Sequence, residues 1–321
     1  MKGRGLRLIA ALAALTVLIP GASVLGSSYP GSYTLPGEAV FPEGVAVLPG
    51  PGYFYVSSTE DGTIFRGQAH QPEAEAFLPG GNDGRTAAVG LAVDAERGVL
   101  FVSGGGTGMV WAYDVHTREL LGQGANDYEM TFINDVTTTP DGSAYFTDSF
   151  QPVIYRLSGA ATGDAVFEEW LDLNETAIEY QDGFNLNGIV TTHDGAHLIA
   201  VQSNTGMLFR IAVEDGTVEP IDLGEGSAQA GDGLVLRGNT LIVVQNALGQ
   251  LTTIKMSDDM TSGEVWSTLA DPSFRTPTTA AILGDRLLVV NAQFGARGGT
   301  PVLPFSLSSI PVWQLTRTGI Q

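Results

Sequence analysis

Residues 135–149 read DVTTTPDGSAYFTDS. A strand of Val and three Thr, an Asp-Gly turn and a second strand ending in small polar residues follow in one short phrase. Asp-Gly between two such strands is a strong hairpin signal. The phrase recurs on both sides. It reads GVAVLPGPGYFYVSS from Gly44, GLAVDAERGVLFVSG from Gly90, GIVTTHDGAHLIAVQSN from Gly188, GLVLRGNTLIVVQN from Gly233 and TAAILGDRLLVVN from Thr279. A third short strand follows each copy: TIFRG, MVWAYDV, VIYRLSG, MLFRIAV, QLTTIKM and PVWQLTR. The residues just before the six first strands are Glu43, Val89, Asn134, Asn187, Asp232 and Thr278, at steps of 46, 45, 53, 45 and 46. Four-stranded units at about this period are propeller blades. No long window carries a helical period. The expectation is an all-β chain, a six-bladed β-propeller.

Closure is legible as well. SYTLPG from Ser32 resembles EAFLPG from Glu75, the fourth strand of the first unit. The last unit leaves little chain for a fourth strand of its own. The N-terminal strand is therefore expected to close the last blade, in one domain spanning residues 29–321. The sixth unit also carries a long connection, FGARGGTPVLPFSLSSI, from about Phe294 to Ile310. Its apolar Val302, Leu303, Phe305 and Leu307 suggest a lid or pocket wall over the channel mouth; the plainer alternative is a packed surface loop.

Ahead of this domain stand Lys2, Arg4 and Arg7, an apolar run from Leu8 to Ile19, and Pro20-Gly21-Ala22-Ser23. That is the layout of a secretory signal peptide, assigned to residues 1–28. The run is short for a stable membrane anchor, which is the alternative. A secreted protein is expected, with its mature N-terminus between about Ser23 and Tyr29. The chain has no cysteine, so disulfides and thiolate metal sites are excluded. Its formal charge is −20, and losing the three N-terminal cations leaves −23. Such a surface repels nucleic acid and anionic lipid, which leaves a small molecule as the expected partner.

In a propeller the first strand of each unit lines the channel. The six preceding residues then form a ring at one mouth. Four of them carry oxygen donors: Glu43, Asn134, Asn187 and Asp232. Two carboxylates and two amide oxygens on one axis suit a hard cation, of which calcium is the usual case. Asn and Asp also cap turns, so each residue alone would be unremarkable. The ends of the second strands share this face and offer a substrate pocket of Ser58, Asn204, Asn246 and Asn291, with Ser57 and Ser149 beside them. Asp148 is the only carboxylate among those ends. It can serve as a general base, support a metal ligand or merely start a turn. The histidines fall elsewhere: His193 and His197 flank the Asp194 turn on the opposite face. A Ser–His–Asp site is thereby excluded.

The segments PEG at Pro42, IND at Ile133, LNG at Leu186 and GDG at Gly231 resemble, in order and spacing, the senescence-marker-protein, gluconolactonase and regucalcin family. That family shares its propeller with paraoxonases and diisopropyl fluorophosphatase. The resemblance covers nearly the whole mature chain. It implies a catalytic Ca2+ held by Glu43, Asn134, Asn187 and Asp232, hydrolysis of a lactone or similar ester, and an acid, base or nucleophile role for Asp232. Glu43-Gly44-Val45 departs from the family's Glu-Ser-Pro, which leaves the substrate open. The rival expectation is a non-catalytic propeller that binds a sugar, peptide or cell-envelope partner.

Overall fold

The computed structural model of the chain describes residues 29–316. The segment read as a signal peptide lies outside the described residues. Within them the strands form four four-stranded sheets and one eight-stranded sheet. The eight-stranded sheet is two blades joined edge to edge. Five blades are meanders of antiparallel neighbours, each finished before the chain starts the next, and the sixth takes its outer strand from the start of the domain.

The inner strands are Pro42–Leu48, Leu91–Asp94, Ile133–Thr138, Leu186–Thr191, Gly231–Arg237 and Pro277–Leu283. Each packs against the next, and the sixth packs against the first, so the ring is closed. The core is divided among the junctions between blades. Trp111, Leu100 and Tyr113 of the second blade meet Ile64, Phe77 and Tyr55 of the first. Corresponding apolar clusters fill the other five junctions. The inner and middle strands are thus covered on both faces and buried along most of their length, which is why they are rich in Val, Ile and Leu.

Ser32–Leu35 pairs antiparallel with Phe305–Pro311 and completes the sixth blade, as the sequence predicts. One parallel bridge, Thr34 to Glu73, ties this strand to the outer edge of the first blade. Tyr33 drives the closure. Its ring is fully buried and meets Phe54 edge-on at 4.7 Å. Its hydroxyl donates to the carbonyl of Ala69.

Two expectations for the sixth unit are corrected. PVWQLTR is not the third strand; Phe305–Pro311 is, and Val312–Thr316 forms a 3-10 turn after it. The serines in FSLSSIP look loop-like in sequence, but the fold satisfies them. Ser308 Oγ accepts from Asn291 Nδ2 at 3.0 Å, and Ser309 Oγ accepts from Arg286 Nε at 3.0 Å. The expected lid shrinks accordingly. Phe305 and Leu307 lie in the core, and the connection that remains, from Phe294 to Pro304, leaves Val302 and Leu303 exposed.

The turns on the face away from the site follow their sequence signals. Asp141 accepts from the Ser143 amide at 3.0 Å and from Thr139 Oγ1 at 2.6 Å. Those bonds hold its carboxyl below the ordinary carboxylate range against a desolvation that pushes it up.

Tyr33→Ala removes the ring that seals the first and last blades. The expected cost is about 3–5 kcal/mol of unfolding free energy, typical of deleting a buried aromatic side chain. Chemical denaturation measures it; a loss under about 1 kcal/mol would show that closure does not depend on this strand.

Candidate functional site

A β-bulge sets the site. In five blades the pairing of the first two strands gains one residue at the ring position. Pro42 pairs with Ser58, and the register resumes three residues on at Val45 with Val56. The same skip occurs between Ile133 and Val136, Leu186 and Ile189, Gly231 and Leu234, and Pro277 and Ala280. Bulges re-aim side chains. Here each bulge contains a ring residue and its successor. Phe41, Ala230 and Thr276 take left-handed backbone angles two residues before Glu43, Asp232 and Thr278. Non-glycine residues adopt that conformation only where the surroundings enforce it.

Adjacent blades are stitched at the same level. Ser57 Oγ donates to the carbonyl of Val89 at 2.6 Å, and Thr147 Oγ1 to that of Asn187 at 2.6 Å. Thr278 Oγ1 donates to the carbonyl of Glu43 at 2.9 Å, and Ser103 Oγ to that of Asn134. Each stitch fixes the backbone of a ring residue from the neighbouring blade. The residue after the ring must often be glycine, because the next backbone is so close. A Cβ on Gly188 would stand 2.1 Å from the carbonyl oxygen of Asp232.

Glu43, Asn134, Asn187 and Asp232 all line one pocket of about 640 Å3. All four are buried, none more than 7% exposed. The two amides are held in one orientation. Asn134 Nδ2 donates to Ser149 Oγ at 2.9 Å, and Asn187 Nδ2 to Ser203 Oγ at 3.1 Å. Asn187 Oδ1 is then buried without a hydrogen-bond partner. Such an atom is costly unless something binds it. Asp232 Oδ2 accepts from Asn246 Nδ2 at 2.6 Å.

The carboxylates are strongly perturbed. Burial pushes Glu43 well above the ordinary carboxylate range, and the charges of Asp232 and Asp135 push it further. Burial raises Asp232 to about 8; the Asn246 hydrogen bond opposes this and Asp135 adds to it. Asp135 itself is raised to about 7 by burial, against hydrogen bonds from the amides of Val136 and Ile189. Asp135 was not anticipated as a site residue. It occupies the bulge position that is glycine in four other blades, and Gly90 makes room for it. A Cβ there would come within 2.7 Å of Asp135 Oδ1.

The four ring residues fit a hard cation. Two carboxylates destabilised by burial and by nearby like charge, with an orphaned amide oxygen, are what a bound cation relieves. Among the described residues no three His, Cys, Asp or Glu side chains cluster as a metal site, so a cation here would need the amide oxygens.

The expected pocket residues divide. Asn204 and Asn246 line the cavity. Ser58 and Asn291 do not. Ser58 Oγ donates to the carbonyl of Val40, while Asn291 is tied to Ser308 Oγ and the Arg275 amide. Asp148 also stays out of the cavity. Fully buried, it accepts from the amides of Phe132 at 2.9 Å, Phe150 at 2.8 Å and Gln151 at 3.0 Å. Thr131 Oγ1 is a further donor. Its work is to hold a loop, so the turn reading of Asp148 prevails over the catalytic one. No histidine lines the pocket. Phe132, Phe184, Phe294 and Arg297 do. Phe294 and Arg297 stand in the long connection that the sequence marks as a lid or pocket wall, whereas sequence reasoning missed Phe132 and Phe184, since nothing in the repeat marks loop side chains that fold inward.

No family model matches the chain, and no curated protein matches it in sequence. Solved structures match its fold. The major allergen Mala s 1 of Malassezia sympodialis superposes with a TM-score of 0.68 at 15% identity, over 88% of this chain and 96% of that one. A catalytically inactive histidine-to-alanine variant of virginiamycin B lyase from Staphylococcus aureus, solved with quinupristin, gives 0.58 at 14% identity, over 89% of each. A Lactobacillus plantarum protein gives 0.58 at 15% identity, over 84% and 85%. These likenesses place the chain among β-propeller proteins.

Raised carboxylate values imply a pH dependence with a definite sign. The folded ring binds protons that the unfolded chain, with values near 3.8, has already released. The stabilisation they bring is complete at low pH and is lost as pH rises through about 7 to 8. In chelator, the unfolding temperature is expected to fall by about 5 °C or more between pH 5 and pH 8.5, and calcium should restore it at the upper end. A flat or rising profile in chelator would contradict the perturbed ring.

Proposed function

We propose that this protein is an exported, calcium-dependent hydrolase of a lactone or similar ester, of the gluconolactonase-like type. The observation that carries the reading is the buried floor of the pocket: two carboxylates, two amide oxygens held outward by serines, and one of those oxygens without a partner. Glu43, Asn134, Asn187 and Asp232 would hold the cation. When bound, calcium supplies electrostatic stabilisation of the charge that develops on an ester carbonyl oxygen.

The protein's own groups supply the rest. Asp232 lies at the pocket floor with one carboxylate oxygen tied to Asn246, which fixes its orientation. It takes a proton from the attacking water as the new carbon–oxygen bond forms. It returns that proton to the departing alkoxide as the acyl–oxygen bond breaks, so atoms and charge balance. Asn204 and Asn246 line the same cavity and can position the polar part of the substrate. The apolar walls exclude bulk water from the floor, which strengthens every charge interaction there.

The likeness to virginiamycin B lyase supports a catalytic use of this fold but not the same chemistry. That enzyme is inactivated in a histidine-to-alanine variant, and no histidine lines the pocket here.

The purified mature chain should hydrolyse γ-lactones or aryl esters in calcium and lose that activity in excess chelator. Asp232→Asn should lower kcat by about 100-fold or more, the scale of losing a general acid–base group. Hydrolysis at the same rate with and without chelator would overturn the calcium-dependent reading.

A further inference from the structure

The floor of the pocket is polar, but its walls are not. Phe132 and Phe184 line one side, carried by the connections into the inner strands of the third and fourth blades. Phe132 meets Phe184 edge-on at 5.4 Å, and Phe150 packs against both, at 5.9 and 5.0 Å. Asp148 builds this wall, since it accepts the backbone amides of both Phe132 and Phe150. Phe294 comes from the sixth blade, which stands across a six-membered ring from the third. Arg297 backs it, with the guanidinium 5.1 Å from the Phe294 ring and 4.8 Å from that of Phe41.

Phe184 is 46% exposed although its neighbours in the cluster could cover it. An aromatic side chain fixed at a pocket mouth by two others, with a second aromatic wall opposite, is poorly explained by packing alone. Aromatic rings bury large area and prefer stacked or edge-on aromatic partners, so apolar rings lining a pocket favour a flat apolar group.

We propose that the pocket binds a ligand with a flat apolar or aromatic body, gripped between Phe132–Phe184 and Phe294, its polar end turned to the ring of Glu43, Asn134, Asn187 and Asp232. The inference rests on the hydrolase reading only for the polar end, which there is an ester or lactone. It narrows the substrate class to esters with an aryl or comparable apolar group, and sets polyhydroxylated sugar lactones aside.

The test is a fluorescence titration of the full mature protein, in calcium, with 1-phenylnaphthylamine, an uncharged aromatic probe. The wild type should bind one probe per chain. Phe184→Ala and Phe294→Ala should each raise its Kd about tenfold, the order expected when a stacking face and its buried area are lost. Phe184→Ala should leave the unfolding temperature unchanged, because that ring is largely exposed; Phe294 packs in part against the core between the first and last blades, so its variant is titrated well below its own unfolding temperature. Failure of the wild type to bind, or wild-type affinity in either variant, would overturn the proposal. Should the probe behave as expected while no ester is turned over, the aromatic pocket stands and the hydrolase reading falls.

Discussion

Two acidic side chains are buried beside one another at the mouth of a closed ring of strands, and the rest of the site is arranged around that conflict. Burial disfavours ionisation and pushes both carboxylates up; the charges of Asp232 and Asp135 raise Glu43 further, and that of Asp135 adds to Asp232. The backbone offers no escape. The bulges aim Glu43 and Asp232 inward, and hydroxyl stitches from the neighbouring blades fix the carbonyls of Glu43, Val89, Asn134 and Asn187. A strained, charged arrangement of this kind persists only where the scaffold over-determines it. The six apolar junctions between blades provide that scaffold.

Much of this was legible in the sequence, and for a physical reason. Each blade buries both faces of its sheet, so its strands repeat a strongly apolar pattern, and the turns between them demand Gly, Asp and Asn. The phrase at Asp135 and its five relatives therefore locate the inner strands and, with them, the ring. The closing strand at Ser32 was legible because SYTLPG repeats the EAFLPG of the first blade's outer strand. The sixth blade misled where Ser306, Ser308 and Ser309 interrupt the apolar pattern. Ser308 and Ser309 are paired by side chains distant in sequence, which no local reading anticipates.

The pocket divides the same way. Ring residues were found because repetition marks them. Phe294 and Arg297 lie in the long connection that sets the sixth unit apart, whereas Phe132 and Phe184 stand on connections that differ from blade to blade, so no internal comparison exposes them. Asp148 is instructive. Its position at the end of a second strand suggested a catalytic carboxylate, whereas its oxygens are consumed by backbone amides and hydroxyls. An acidic residue followed by loop amides two and three positions on is a cap before it is a base. Asp135, hidden within a bulge, is raised to about 7 by burial although nothing in the repeat marked it.

The account turns on whether the ring holds a cation. Elemental analysis of the purified protein, after gel filtration in metal-free buffer, tests that directly. One calcium per chain is predicted in the wild type and much less than one in Asp232→Ala, since a charged ligand is gone. No divalent metal at stoichiometric level in the wild type, even after prior incubation with calcium, would contradict the account.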